Sequence, residues 1–189
     1  MKIREYIILK DKENHPYLEE TRCVNWNGDL RYVDEAYRML NEIFKMNKLH
    51  EEYAYVIALD HQKRPKGVCQ VGHGNPNETP MPMQNIFTFL LLTGANAFIV
   101  AHNHVSNMSQ PSKEDIDIRR QIENIAQMMD IEFVTHLIIN PKGYISEGGS
   151  VKVDKEIEYL DNGKAATYIF GNRIEGEIEM IEQIINDSE

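Results

Sequence analysis

Between Ala97 and Asp115 the chain passes from an apolar run into two histidines, a polar loop and a helix start. A run as short and as uniformly apolar as Ala97 to Ala101 reads as a buried strand, and it delivers His102 at its end. Residues i and i+2 of an extended chain point to the same side, so His102 and His104 both face one point. Seven residues separate His104 from Ser112, and two more separate Ser112 from Asp115. The first turn of a helix beginning at Ser112 brings the Asp115 carboxylate back over the strand end. Two imidazoles, a carboxylate and room for a water make a three-ligand site of the catalytic rather than the structural zinc type. On this reading the protein is a hydrolase.

Ser112 and Asp115 also fit a plainer role. Ser-Lys-Glu-Asp matches a capping box, in which an N-cap Ser and an acidic residue three positions on satisfy each other's amides. Capping and metal binding are compatible here. The contiguous His102-Asn103-His104 does not make the chain an HNH nuclease, whose named residues are scattered through a ββα unit. Nor does it read as H-x-H-x-D-H, because Ser106 and Asn107 hold the last two places.

The flanking pattern supplies the fold. Strands are predicted over Ile3 to Leu9 and Thr21 to Trp26, with a polar loop through Asn14 and Pro16 between them. Apolar residues at spacings of three and four predict an amphipathic helix from Val33 to Met46. Strands follow at Tyr53 to Leu59 and Gly67 to Val71, then a Gly/Pro/Asn loop from Gly72 to Pro82. A buried helix from Met83 to Thr93 stops at Gly94. A second helix runs from Lys113 to Met129, with Ile116, Ile118, Ile122, Ile125 and Met129 inward. Glu132 to Ile139 is a strand, turned back through Pro141 to Gly143. Strands alternating with helices imply an α/β sheet covered by helices. After Gly149 the composition shifts. Asp161-Asn162-Gly163 signals a hairpin turn, and Ile174, Ile178, Ile181 and Ile185 stripe an otherwise acidic helix. That helix packs on its own domain or serves a second copy or a partner.

Composition narrows the partners. The 189 residues carry a net charge of -10, and the longest basic cluster is Lys63, Arg64, Lys66. A duplex-binding surface needs a basic footprint, so tight nucleic-acid binding is disfavoured. Two separated cysteines, Cys23 and Cys69, give no disulfide framework and point to a reducing cytoplasm. The N-terminus lacks the apolar length of a secretory signal. Thr93, Gly94 and Asn96 interrupt the apolar stretch Ile86 to Ala101, which is too short for a membrane span.

The run Ala101-His-Asn-His-Val-Ser, followed by Gln110-Pro-Ser112-x-x-Asp115, resembles the RadC-like branch of the JAB/MPN metalloproteins, whose signature is the JAMM motif. The likeness extends to Glu52 through Asp60 (EYAYVIALD), to the loop from Gly72, to Ile86 through Ala101, and to His136-Leu-Ile-Ile with Tyr144-Ile-Ser146. It covers roughly 51–148. This chain has Val105 and Asn107 where the family usually has Pro and Gly, and Thr135 where it has Asp. It has Pro82-Met83-Gln84 where the family has Pro-Arg-Glu.

The resemblance implies a mixed β-sheet flanked by helices, a JAB/MPN-like (cytidine-deaminase-like) core within one domain of residues 1–149. The extension 150–189 follows. It further implies Zn2+ held by His102, His104 and Asp115, and a glutamate general acid/base on the earlier strand. Glu51 and Glu52 are both at hand, and alignment on Leu59-Asp60 selects Glu52. Ser112 would donate to the developing oxyanion while a zinc-acidified water attacks an amide. The implied activity is that of a metallopeptidase or isopeptidase acting on peptide, protein or isopeptide-type substrates. The RadC label also carries a DNA-repair association, so an accessory role there is one alternative; a non-catalytic, metal-stabilised binding module is another. His136 shares a strand face with Val134 and Ile138, which favours a core or supporting role over ligation. His73 reads as a loop residue, and His15, His50 and His61 carry no argument.

Overall fold

Two strands form the centre of the sheet because apolar side chains cover both of their faces. They are β3 (Tyr53–Leu59) and β5 (Ala97–Asn103). The computed structural model describes residues 1–75, 79–106 and 110–146, and beyond them the main chain of 151–153, 158–159, 164–169 and 172–177. β1 (Lys2–Lys10) and β2 (Pro16–Asn25) make an antiparallel hairpin, followed by α1 (Val33–Phe44). Along the chain β4 (Pro65–His73) and α2 (Met83–Thr93) follow β3 and precede β5, and α3 (Lys113–Met128) precedes β6 (Glu132–Asn140) and β7 (Gly143–Ile145). β8 (Val151–Val153) closes an eight-stranded sheet of order β2-β1-β4-β3-β5-β6-β7-β8. The β1/β4 and β5/β6 pairs are parallel and the others antiparallel. The fold is therefore α/β with a mixed sheet flanked by helices, as the sequence implies.

Alternation divides the core between the two faces. Tyr55, Ile57 and Leu59 of β3 join Ala97, Ile99 and Ala101 of β5 on the face packed by Ala36, Met39 and Leu40 of α1. Ala54, Val56, Ala58, Phe98 and Val100 turn to the other face, against Ile86, Phe89 and Leu90 of α2 and Ile122 and Ala126 of α3. Each fully buried Val, Ile or Phe contributes about 1.5–3 kcal/mol. The pairing Ala54↔His102 continues this second face, so the strand ends on the α3 side carry the polar residues.

Several boundaries move. β2 begins at Pro16, well before Thr21, because its hairpin partner β1 extends to Lys10. α1 stops at Phe44, where Lys45 adopts φ 58°, and Met46 enters a short 3-10 turn. β5 continues two residues beyond Ala101, through His102 and Asn103. On α3, Asp115, Ile122 and Ala126 are buried and Ile118 and Ile125 pack half-buried against the same core, while Ile116 and Met129 are exposed instead of inward. α2 ends as the sequence predicts, at Gly94 with φ 61°.

Past residue 150, β9 (Glu158–Tyr159), β10 (Lys164–Ile169) and β11 (Asn172–Glu177) form an antiparallel sheet. Ile174 therefore lies in a strand, not on the acidic helix: its segment pairs Thr167↔Ile174 with β10, and pairing imposes an extended backbone. The turn at 161–163 and Ile178, Ile181 and Ile185 lie outside the described residues. Among the described residues no helix is long and apolar enough to cross a membrane.

Candidate metal centre

β5 presents its last residues where α3 begins, and three side chains meet there. His102 Nε2 lies 2.9 Å from His104 Nε2 and 3.0 Å from Asp115 Oδ1, and His104 Nε2 lies 3.4 Å from Asp115 Oδ2. All three residues are buried. Ligands at about 2.0–2.1 Å in a tetrahedron stand about 3.3 Å apart, and these separations lie within about 0.4 Å of that spacing. Two imidazole nitrogens and a carboxylate are also the donor chemistry zinc takes. The residues fit the metal.

Each ligand is held by a different local cause. The His104 amide donates to the Ile139 carbonyl at 2.7 Å, which fixes the chain just past the end of β5. Asp115 is the N3 residue of α3 in a complete capping box. Its Oδ2 accepts from the Ser112 amide at 2.8 Å and from the Ser112 hydroxyl at 2.7 Å, and its own amide donates to Ser112 Oγ at 3.0 Å. Both readings of Ser112 to Asp115 thus meet in one arrangement: the cap orients the carboxylate, and Oδ1 faces His102. The Ser112 hydroxyl proton is committed to Asp115 here.

Charge and burial set the protonation. Burial pushes the Asp115 carboxyl upward, but the hydrogen bonds of His102 and His104 outweigh it and hold the group far below the usual carboxylate range. Burial lowers the affinity of His102 for a proton, opposed by its bond with Asp115. His136, likewise driven well down by burial, places Nε2 at 2.8 Å from His102 Nδ1. With both rings neutral, one of these two nitrogens donates to the other. A His102 that presents Nε2 as a lone pair must carry its proton on Nδ1, which makes His136 Nε2 the acceptor.

The two glutamates separate cleanly. Glu51 is turned to the surface, where Oε2 lies 2.7 Å from His73 Nε2 and accepts from the Tyr53 hydroxyl at 3.4 Å. The His73 ring stacks on Tyr53, with centroids 4.3 Å apart. Glu52 is buried. It stands just before β3, two residues from Ala54, whose partner across the ladder is His102.

Of the other sequence features, Asn103 is the one whose role the sequence did not reveal. It is 1% exposed and its side chain bonds the main chain around Glu52. A buried amide between two ligand positions was the available signal. Thr135 is buried with no partner for its hydroxyl among the described residues. His15, His50, His61 and His73 are not brought to the centre. Cys69 is buried, which pushes its thiol up to about 12 and leaves it inert. A cavity of about 270 Å3 flanks the centre between α3 and β7, touching Asp115, Arg119, His136 and Ile145.

Comparison with known proteins bears on the family. The RadC-like JAB domain family model matches residues 30–150. A UPF0758 protein of Chloroflexus aurantiacus is 35% identical over 104 residues, covering 55% of this chain and 45% of that protein. One from Clostridium tetani is 33% identical over 113 residues (60% and 48%), and one from Desulfitobacterium hafniense is 31% identical over 113 residues (60% and 48%). The chain thus spans about half the length of these curated relatives.

Proposed function

We propose that this chain, which belongs to the RadC-like JAB domain family, is a zinc-dependent hydrolase of peptide or isopeptide-type amide bonds. The convergence of His102, His104 and Asp115 on one buried point, with donor atoms within 4.8 Å of one another, is the observation that carries this reading.

His102 and His104 would hold the metal through Nε2 and Asp115 through its carboxylate. A zinc ion so held supplies a water acidic enough to ionise near pH ~7 and a Lewis acid for the scissile carbonyl. Two neutral imidazoles and one carboxylate leave the site with one net positive charge, which favours an anionic nucleophile. Glu52, on the same sheet face and shielded from solvent, takes a proton during attack and returns it to the departing amine. His136 keeps His102 in the required tautomer. Ser112 fixes Asp115; to donate to an oxyanion as well, its hydroxyl would have to leave the Asp115 carboxylate.

The acidic surface, at net charge -10, works against a role that needs tight binding to nucleic-acid phosphates.

Two measurements on the full chain test the proposal. Metal analysis of purified protein should find about one zinc per chain. A panel of fluorogenic peptides and Lys-linked isopeptides should contain a substrate whose hydrolysis falls by about 10²–10⁴ in Glu52→Gln at unchanged zinc content. A zinc-free, fully folded protein, or a Glu52→Gln variant as fast as wild type, would remove the reading.

A further inference from the structure

We infer that Asn103 is a positioning residue for Glu52: its amide clamps the main chain on either side of that glutamate and so ties the base to the strand that carries the metal-binding histidines. The inference rests on the hydrolase reading for its chemistry, though not for its geometry.

β3 and β5 stay in register as far as Ala54↔His102. Beyond that point the Asn103 side chain takes over the pairing. Asn103 Oδ1 accepts from the Tyr53 amide at 2.8 Å, and Nδ2 donates to the Glu51 carbonyl at 3.0 Å. Those two groups bracket Glu52. The remaining main-chain groups point to the loop after β4, where the Glu52 amide donates to the Asn75 carbonyl at 3.3 Å and the Gly74 amide donates to the Glu52 carbonyl at 2.9 Å. Glu52 is therefore gripped from both sides, by a side chain of β5 and by the backbone of a loop. The loop's return is fitted closely too, since a Cβ on Gly72 would meet the Pro80 carbonyl oxygen at 1.9 Å.

The residue type follows from this task. The clamp needs one donor and one acceptor on a planar group, which an amide has. An aspartate keeps the acceptor but sets a charge against the Glu51 carbonyl; a leucine has neither function. His102 and His104 face α3, and alternation turns Asn103 to the opposite side. One tripeptide thereby orients ligands with its outer residues and the base with its middle one. Small displacements of a catalytic group cost about 10² in rate, so the clamp has a kinetic consequence although Asn103 touches no reacting atom.

The test uses Asn103→Leu and Asn103→Asp in the zinc-loaded full chain, with the isopeptide substrate found for wild type. Zinc content should be unchanged, kcat should fall by about 10² in Asn103→Leu and less in Asn103→Asp, and KM should move by no more than about threefold. Asn103→Leu/Glu52→Gln should be no slower than Glu52→Gln alone, because the clamp acts only through the base. Multiplicative losses, an unchanged kcat, or zinc lost in step with activity would overturn the inference. Amide hydrogen exchange gives a readout free of activity: Tyr53 should lose protection in Asn103→Leu, which removes its acceptor, and keep more of it in Asn103→Asp, while Val56 and Ile57 keep theirs in both. If the wild type hydrolyses nothing, the hydrolase reading fails on its own; if Tyr53 stays fully protected in Asn103→Leu, the clamp fails whatever the activity. Should Asn103→Leu not fold, Asn103→Ala, which also lacks both functions, decides by the same measurements.

Discussion

The molecule contains a second trio with nearly the same chemistry as the metal centre, and the contrast shows what makes a site. Asp11, Glu13 and His15 also bring carboxylate and imidazole atoms within 4.8 Å of one another, as His102, His104 and Asp115 do. Both trios include an aspartate that ties down local backbone. Asp11 Oδ1 accepts from the Glu13 and His15 amides at 2.9 and 2.8 Å, closing the turn between β1 and β2. Asp115 caps α3 with Oδ2 and still turns Oδ1 to His102. The difference lies in what surrounds the donors. The hairpin trio is exposed and comes from one turn, so water competes for every donor and each side chain must be ordered when an ion arrives. The strand-end trio is buried and comes from two elements joined through the core, so its ligands are in place beforehand.

The largest effect expected from this contrast is on metal binding. Asp115→Ala should empty the centre, with an affinity loss larger than the 10–100-fold that a supporting residue commands. Zinc titration with a competing chelator measures it, and retention of zinc by that variant would show that the hairpin trio or another group is the true site. His136→Phe keeps a ring in place but removes the acceptor for the His102 Nδ1 proton. Its affinity for zinc should fall by about 10–100-fold, and wild-type affinity would remove His136 from the support of the centre.

The sequence made the buried trio legible and left its surroundings obscure. Spacing and alternation sufficed for His102 and His104, because a strand has only two sides. Asp115 was legible because a capping box fixes where an N3 carboxylate goes. The division between Glu51 and Glu52 was open in the residues themselves, since two adjacent acids look alike until the fold buries Glu52 and leaves Glu51 at the surface beside His73. The clamp by Asn103 depends on contacts with residues 50 and 52 positions away, and no local pattern encodes such a pairing. Ile174 was misread for a related reason. Isoleucines at spacings of four and three suit a helix, but β-branched residues suit a strand as well, and pairing with Thr167 decided it.

The next effect is on stability and follows from protonation. In zinc-free protein His102 and His136 have folded-state proton affinities lowered by burial, whereas unfolded imidazoles titrate near ~6.5. The unfolded chain then binds more protons below that pH, so stability is present above ~6.5 and is lost on acidification. Asp115, held low in the fold, adds to the loss once unfolded carboxylates protonate near ~4. The melting temperature of zinc-free protein should therefore fall continuously from pH ~7.5 to ~4. A flat profile would mean that the trio is not buried in solution as it is here.

The smallest effect belongs to the hairpin. Asp11→Ala deletes the acceptor of two exposed turn amides that water can satisfy instead, so stability should change by no more than about 0.5 kcal/mol and zinc stoichiometry not at all. Because Asp11→Ala and Asp115→Ala each remove one carboxylate from a trio of similar donors, the pair isolates burial and scaffolding from ligand chemistry. Equal losses of metal from the two variants would mean that donor type alone governs binding, and the argument from preorganisation would fall with it.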